Sequence, residues 1–293
     1  MITEQETSYF GTEIEQRINA MTDARLPTYF ITHGGGPWPY MKQEMGGAFD
    51  RLEASIVAIR QALGNRPRAV LMISGHWETE GFAVSSGAAP GMVYDYYGFP
   101  EHTYHVRYGA PGSPALAARV QDLLRAGGLP ATSDPDRGFD HGTFSIMKPL
   151  YPDEDLPIVQ LSLDASLDPA LHLQVGRLLA PLREEGVLII GSGSSFHNLR
   201  MRDARAIAPS KQFDDWLQHT LVGSAPEARR AALLDWESAP SARLAHPRED
   251  HLLPLMVAVG AAEDEAATCI YRQDDLLGVW TASSFRFGDL AEA

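Results

Sequence analysis

The sequence predicts a single α/β domain on an open, mixed and largely parallel sheet with helices on both faces. Three observations carry that expectation. Apolar runs of strand length alternate with amphipathic stretches of helix length along the chain. The strongest runs, residues 68–74 (RAVLMIS) and 187–191 (VLIIG), are continuous rather than alternating, as strands buried on both faces are. No repeat, low-complexity tract or linker divides the 293 residues, so one domain is the better count.

Taken in order, residues 1–26 form an amphipathic N-terminal arm and residues 27–293 the domain proper. Residues 29–32 (YFIT) read as a short strand ending at His33, followed by the turn Gly34-Gly35-Gly36-Pro37-Trp38-Pro39 and a helical pattern to about Leu63. The strand over 68–74 leads into Gly75-His76-Trp77, and 82–85 reads as another strand. Residues 88–112 are a long loop rich in Tyr, Gly, Pro and His; a stretch of that length in a compact domain is often functional. Ser113-Pro114 is an N-cap and first-turn pair that opens a helix over 115–126. A loop over 134–142 contains His141. A strand (157–163), a helix (169–184), a strand (187–191), a helical region (210–236), a helix from about Arg248 to Ala262 and two closing strands (267–271, 279–285) complete the pattern.

Composition narrows the function. Hydrophobic residues at 44% and charged residues at 21% are those of an ordinary globular protein. A net charge of −14 argues against nucleic-acid binding, which needs clustered Lys and Arg. The single cysteine, Cys269, rules out a disulfide within the chain and any multi-cysteine metal site, and is expected in a buried strand. No stretch is long and apolar enough to span a membrane and the N-terminus is too polar for a secretory signal, so a cytoplasmic location is expected by default. A homo-oligomer is compatible with the sequence.

The histidines carry the chemistry. His33, His76 and His197 each fall just beyond the carboxyl end of an apolar strand, the edge where open α/β sheets build their sites. Glycines flank each of them, and His251 falls near the start of an apolar helix from which it can face the sheet. Any one of them alone reads as an ordinary turn residue; several at equivalent strand ends point to a shared metal site, since neutral imidazole is a common metal ligand. Weaker signals lose to bland readings. Gly191-Ser192-Gly193-Ser194 lacks the ending of a phosphate loop, and Glu78 and Glu80 do not complete a zinc-protease motif. His102 and His105 read as a loop edge, His172 and His219 as satisfied or solvated helix residues, and Ser195 lacks a nucleophile elbow.

Seven ordered blocks resemble a known family: Thr32-His33-Gly34, Ser74-Gly75-His76-Trp77, Gly98-Phe99-Pro100, Pro111-Gly112-Ser113-Pro114-Ala115-Leu116-Ala117, Gly138-Phe139-Asp140-His141-Gly142, His197-Asn198-Leu199-Arg200 and His251-Leu252-Leu253-Pro254-Leu255. Over about residues 27–287 the chain resembles the class III extradiol ring-cleavage dioxygenases, in their 4,5-DOPA extradiol dioxygenase-like branch. The resemblance implies a mononuclear non-haem Fe(II) that takes a catecholic substrate and O2. It implies His33, His76 and His251 as metal ligands, His197 as the acid/base residue and His141 as a residue that hydrogen-bonds substrate. Where the wider class has a glutamate ligand, this chain has His251, with Glu249 and Asp250 beside it as reserve ligands. A triad without carboxylate also suits Zn(II), so the alternative is a zinc-dependent hydrolase using the same histidine site. Tyr96, Tyr97 and Tyr104 of the long loop are the candidates for a wall against an aromatic ring, with ordinary packing as the competing reading.

Overall fold

The computed structural model describes residues 25–64 and 67–290, and the expected N-terminal arm lies almost wholly outside them. The strands are β1 (Thr28–Thr32), β2 (Ala69–Thr79), β3 (Phe82–Ser85), β4 (Ala131–Asp134), β5 (Ile158–Asp164), β6 (Val187–Gly193), β7 (Ala267–Leu276) and β8 (Trp280–Phe287). They form one sheet of order β4-β3-β5-β2-β6-β1-β8-β7. Four of its pairings are parallel (β1 with β6, β2 with β5 and with β6, β3 with β4) and three antiparallel (β3 with β5, β1 with β8, β7 with β8). The sheet is mixed and mostly parallel, as the continuous apolar runs predict.

The helices are α1 (Asp50–Leu63), α2 (Pro114–Ala126), α3 (His141–Leu150), α4 (Pro169–Leu179), α5 (Ile207–Val222), α6 (Pro226–Leu234), α7 (Ala242–Ala245) and α8 (Leu253–Gly260). Every residue of β1 and β6 is buried, which requires cover on both faces. The end of β6 shows both covers at once, because successive residues point to opposite faces. Ser192 Oγ donates to the carbonyl of Gly142 in α3 on one face. On the other face a Cβ at Gly191 would lie 2.2 Å from the Pro254 carbonyl oxygen, and one at Gly193 would lie 2.1 Å from that of His251. Only glycine lets the 251–254 backbone lie so close on the strand, and this close approach seats His251.

Several expected boundaries shift for physical reasons. α3 falls partly in the loop expected over 134–142 and is otherwise unpredicted, because nearly all of it is buried and a helix buried all round shows no amphipathic stripe. β4 is a short edge strand with exposed Thr132 and Ser133, so its polarity hides it. The expected 210–236 helix breaks into α5 and α6 around Gly223 and Pro226. The helix expected from Arg248 begins instead at Leu253, with a turn closed by Leu252 N–H donating to the Glu249 carbonyl at 2.7 Å. Cys269 does lie in a strand, β7, but is only half-buried.

Candidate metal centre

Five segments bring histidines to one point. His33 follows β1; its N–H donates to the Gly193 carbonyl at 3.0 Å and its own carbonyl accepts from Trp38 Nε1 at 2.8 Å. His76 lies inside β2, where the pairing with β5 shifts register between Ile73 and Glu78, rather than beyond the strand end. Such irregularities re-aim side chains next to sites. His251 sits in the turn before α8, its carbonyl accepting from Ser194 N–H at 3.0 Å. His141 opens α3, whose N-cap Asp140 accepts from Thr143 N–H and from Ser74 Oγ, each at 2.9 Å. The buried Asp140 carboxylate also pairs with Arg137 at 2.6 Å, so the start of α3 is fixed relative to β2.

The nitrogens converge. His76 Nε2 lies 3.3 Å from His33 Nε2 and 3.0 Å from His251 Nε2. Ligand atoms of His33, His76 and His251 all fall within 4.8 Å of one another. His141 packs on His76 with ring centroids 3.9 Å apart, and His197 stacks on His251 at 3.3 Å with an interplanar angle of 14°. His197 is set on the loop after β6 by its N–H donating to the Ala245 carbonyl at 3.0 Å. The structure thus gathers all five histidines singled out in the sequence.

Charge in the cluster is set by burial. Desolvation first, then the neighbouring imidazoles, hold the pKa values of His33, His76 and His251 well below 6.5. Desolvation also lowers His197 to about 4, against an opposing pull from Asp250. These rings are therefore neutral near pH 7 and keep a lone pair to offer. Carboxylates choose which nitrogen offers it. Asp250 Oδ2 accepts from His251 Nδ1 at 2.8 Å, and Asp95 Oδ2 lies 3.3 Å from His76 Nδ1. A carboxylate accepts only, so Asp250 favours a proton on Nδ1 of His251 and Asp95 favours one on Nδ1 of His76, which turns each Nε2 lone pair inward. Two bare Nε2 atoms then face each other at 3.0 Å, an arrangement that favours a cation between them. The residues present fit a single metal ion.

Sequence reasoning missed Asp95, which the aromatic character of its neighbours Tyr94 and Tyr96 obscured; an acid in an otherwise aromatic run was the available signal. The reserve carboxylates have other partners: Asp250 orients His251, and Glu249 pairs with Arg243 at 2.6 Å. Tyr96 is buried with its ring 5.9 Å from His141, yet its hydroxyl is tied to the Thr103 carbonyl at 2.5 Å. Tyr104 packs on Tyr96 at 5.3 Å, a step further from the cluster, whereas Tyr97 stands 90% exposed. The Gly34–Pro39 turn meets the long loop at Phe99, where a Cβ on Gly36 would come within 2.4 Å of the ring. His102 and His105 pair with Glu44 and Glu101 at the surface, and Ser195 is buried with its Oγ accepting from Ser283 N–H at 2.9 Å.

Residues 27–282 match the family of the catalytic LigB subunit of aromatic ring-opening dioxygenases. The chain belongs to this family. Among relatives, a 4,5-DOPA dioxygenase extradiol of Beta vulgaris is 39% identical, over 89% of this chain and 96% of that one. Its counterpart in Escherichia coli K12 is 32% identical, over 92% and 97%. A dioxygenase of Hapsidospora irregularis is 38% identical over 86% and 83%. The crystal structure of an uncharacterized Escherichia coli K12 protein superposes with a TM-score of 0.71 at 30% identity, covering 90% of this chain and all of the other. This extradiol dioxygenase thus carries, on a mixed α/β sheet, a histidine cluster able to hold a metal ion. No helix among its described residues is long and apolar enough to cross a membrane.

Proposed function

We propose that the enzyme is a non-haem Fe(II) dioxygenase that opens a catecholic ring with O2, its metal held by His33, His76 and His251. The observation that carries this reading is the convergence of three Nε2 atoms, on buried His33 and His251 and half-buried His76, whose rings desolvation keeps neutral. Bound there, Fe(II) would supply a point of attachment for the two ring hydroxyls and the means to activate O2. The chain's own residues handle protons. A catechol must shed a proton to bind as an anion, and His197, a neutral imidazole stacked on His251 beside the metal point, is placed to take it. His141 has its Nδ1 engaged by Asp95 at 2.9 Å, which leaves Nε2 to meet an oxygen of the substrate. Tyr96, its ring edge-to-face with His141 at 5.9 Å and backed by the fully buried Phe144, is the loop aromatic placed beside that point for a planar ring.

The all-imidazole donor set suits Zn(II) as well as Fe(II), so metal identity is tested directly. Metal-free enzyme reconstituted anaerobically with Fe(II) is to be offered a panel of catechols and then air, with Zn(II)-loaded enzyme as control. Oxygen uptake matched by a yellow ring-fission product with Fe(II) alone is the expected result. Hydrolytic activity with Zn(II) and no oxygen uptake with Fe(II) would overturn it.

A further inference from the structure

Asp95 addresses two histidines with one carboxylate. Its Oδ1 accepts from His141 Nδ1 at 2.9 Å and from the His141 backbone N–H at 3.1 Å, and its Oδ2 lies 3.3 Å from His76 Nδ1. The side chain is only 17% exposed, so water competes weakly for those oxygens. Its place in the 88–112 loop is pinned on both sides. Val93 N–H donates to the Phe139 carbonyl at 2.8 Å before it, and the Tyr96 hydroxyl donates to the Thr103 carbonyl after it.

We propose that Asp95 is a positioning residue that sets the tautomers of His76 and His141 together. It thereby couples the holding of the metal to the handling of substrate protons through one loop carboxylate. The inference rests on His76 being a metal ligand as proposed above. The physical reason is donor–acceptor matching: an anion facing both Nδ1 atoms keeps a proton on each, so both Nε2 atoms stay bare toward the metal and the substrate. A second consequence follows for the loop. The segment that stands beside the site also seats a ligand, so displacing the loop loosens the metal as well as the wall.

The test uses Asp95→Asn, which preserves shape but exchanges one acceptor for a donor, so one of the two rings must turn a bare Nδ1 toward the amide. Co(II) is titrated into the metal-free parent and variant, and ring 15N shifts of the histidines are recorded for both without metal. In the variant, either Co(II) affinity falls by about 10–100-fold, with His76 as the altered ring, or affinity holds and His141 moves its proton to Nε2. The first result supports the coupling; the second, in which metal is held without the carboxylate, overturns it. Unchanged affinity, absorption spectrum and ring shifts would also overturn it. Should the variant fail to fold, the parent spectrum decides: Nδ1–H at both His76 and His141 is required, and Nε2–H at either sinks the proposal. A parent that binds no Co(II) counts against the ligand assignment instead, while the ring shifts still report on Asp95.

Discussion

Two buried polar clusters in this enzyme are built on opposite logic. At one, the Arg183 guanidinium, 1% exposed, has a partner for every arm: Nε donates to the Leu26 carbonyl, and one terminal nitrogen donates to the Ala261 carbonyl. That nitrogen also reaches Glu265 Oε1 at 2.5 Å, and the other donates to Oε2 at 2.8 Å. At the other, the histidine centre, acceptor faces acceptor and His33 Nδ1 is buried with no partner among the described residues. A satisfied cluster serves the fold, tying the start of β1 to the turn before β7. An unsatisfied one is held in place by the fold for something else to complete.

The largest effect that tests this contrast is loss of the metal. His76→Ala is expected to abolish metal retention and turnover, measured by metal analysis and oxygen uptake, while leaving metal-free stability within about 1 kcal/mol of the parent. A variant that unfolds would make the histidine centre structural and erase the distinction.

His197→Phe comes next. Turnover should fall by about 10²–10⁴-fold, the usual worth of a general acid/base, with metal content unchanged. Equal loss of metal would make His197 a ligand.

From the other cluster, Arg183→Ala strands the Leu26 and Ala261 carbonyls and leaves Glu265 only its 3.3 Å pairing with Arg25, and should cost about 3 kcal/mol in chemical denaturation. Metal stoichiometry of the folded fraction should not change. If metal is lost in parallel, the two regions are not independent.

Acid should separate the clusters as well. The unfolded chain takes up protons at histidine near pH 6.5, whereas the folded rings resist, His197 to about 4 and His246 to about 3 because burial penalises their charge. Metal-free stability should therefore be full above about pH 6.5 and decline as pH falls below it. The decline is up to about 1.4 kcal/mol per pH unit for each buried histidine. Glu265 has the same sense in a lower window: against an opposing desolvation, Arg183 lowers its pKa, so its contribution is present above its ordinary 4.5 and is lost only as pH falls below that. Denaturation midpoints that stay flat between pH 6.5 and 5 would contradict the burial of neutral histidines.

The smallest effects belong to the loop. Tyr96→Phe removes the bond to Thr103 and should cost about 1 kcal/mol. Tyr97→Ala, at a side chain 90% exposed, should leave stability within about 0.5 kcal/mol. Kinetic change from Tyr97→Ala would show that the ring swings to the substrate.

The sequence by itself determined the sheet's interior and the identity of the gathered histidines. The runs that became β2 and β6 are apolar throughout because both their faces are covered, and local pattern reports burial of that kind directly. Strand ends marked by glycine and histidine were legible for the same reason: each is a local feature. α3 was not legible, since a helix buried on all sides shows no period, and His141 was therefore expected in a loop rather than at a capped helix start. The tertiary structure alone decided what the histidines do to one another. The bare Nε2 atoms at 3.0 Å depend on Asp250 beside His251 and on Asp95, which is brought to His76 and His141 from a loop whose sequence advertised only tyrosines. Tautomer and charge follow from neighbours in space, burial and hydrogen-bond direction, and these arise only when segments far apart in the chain are packed against one another.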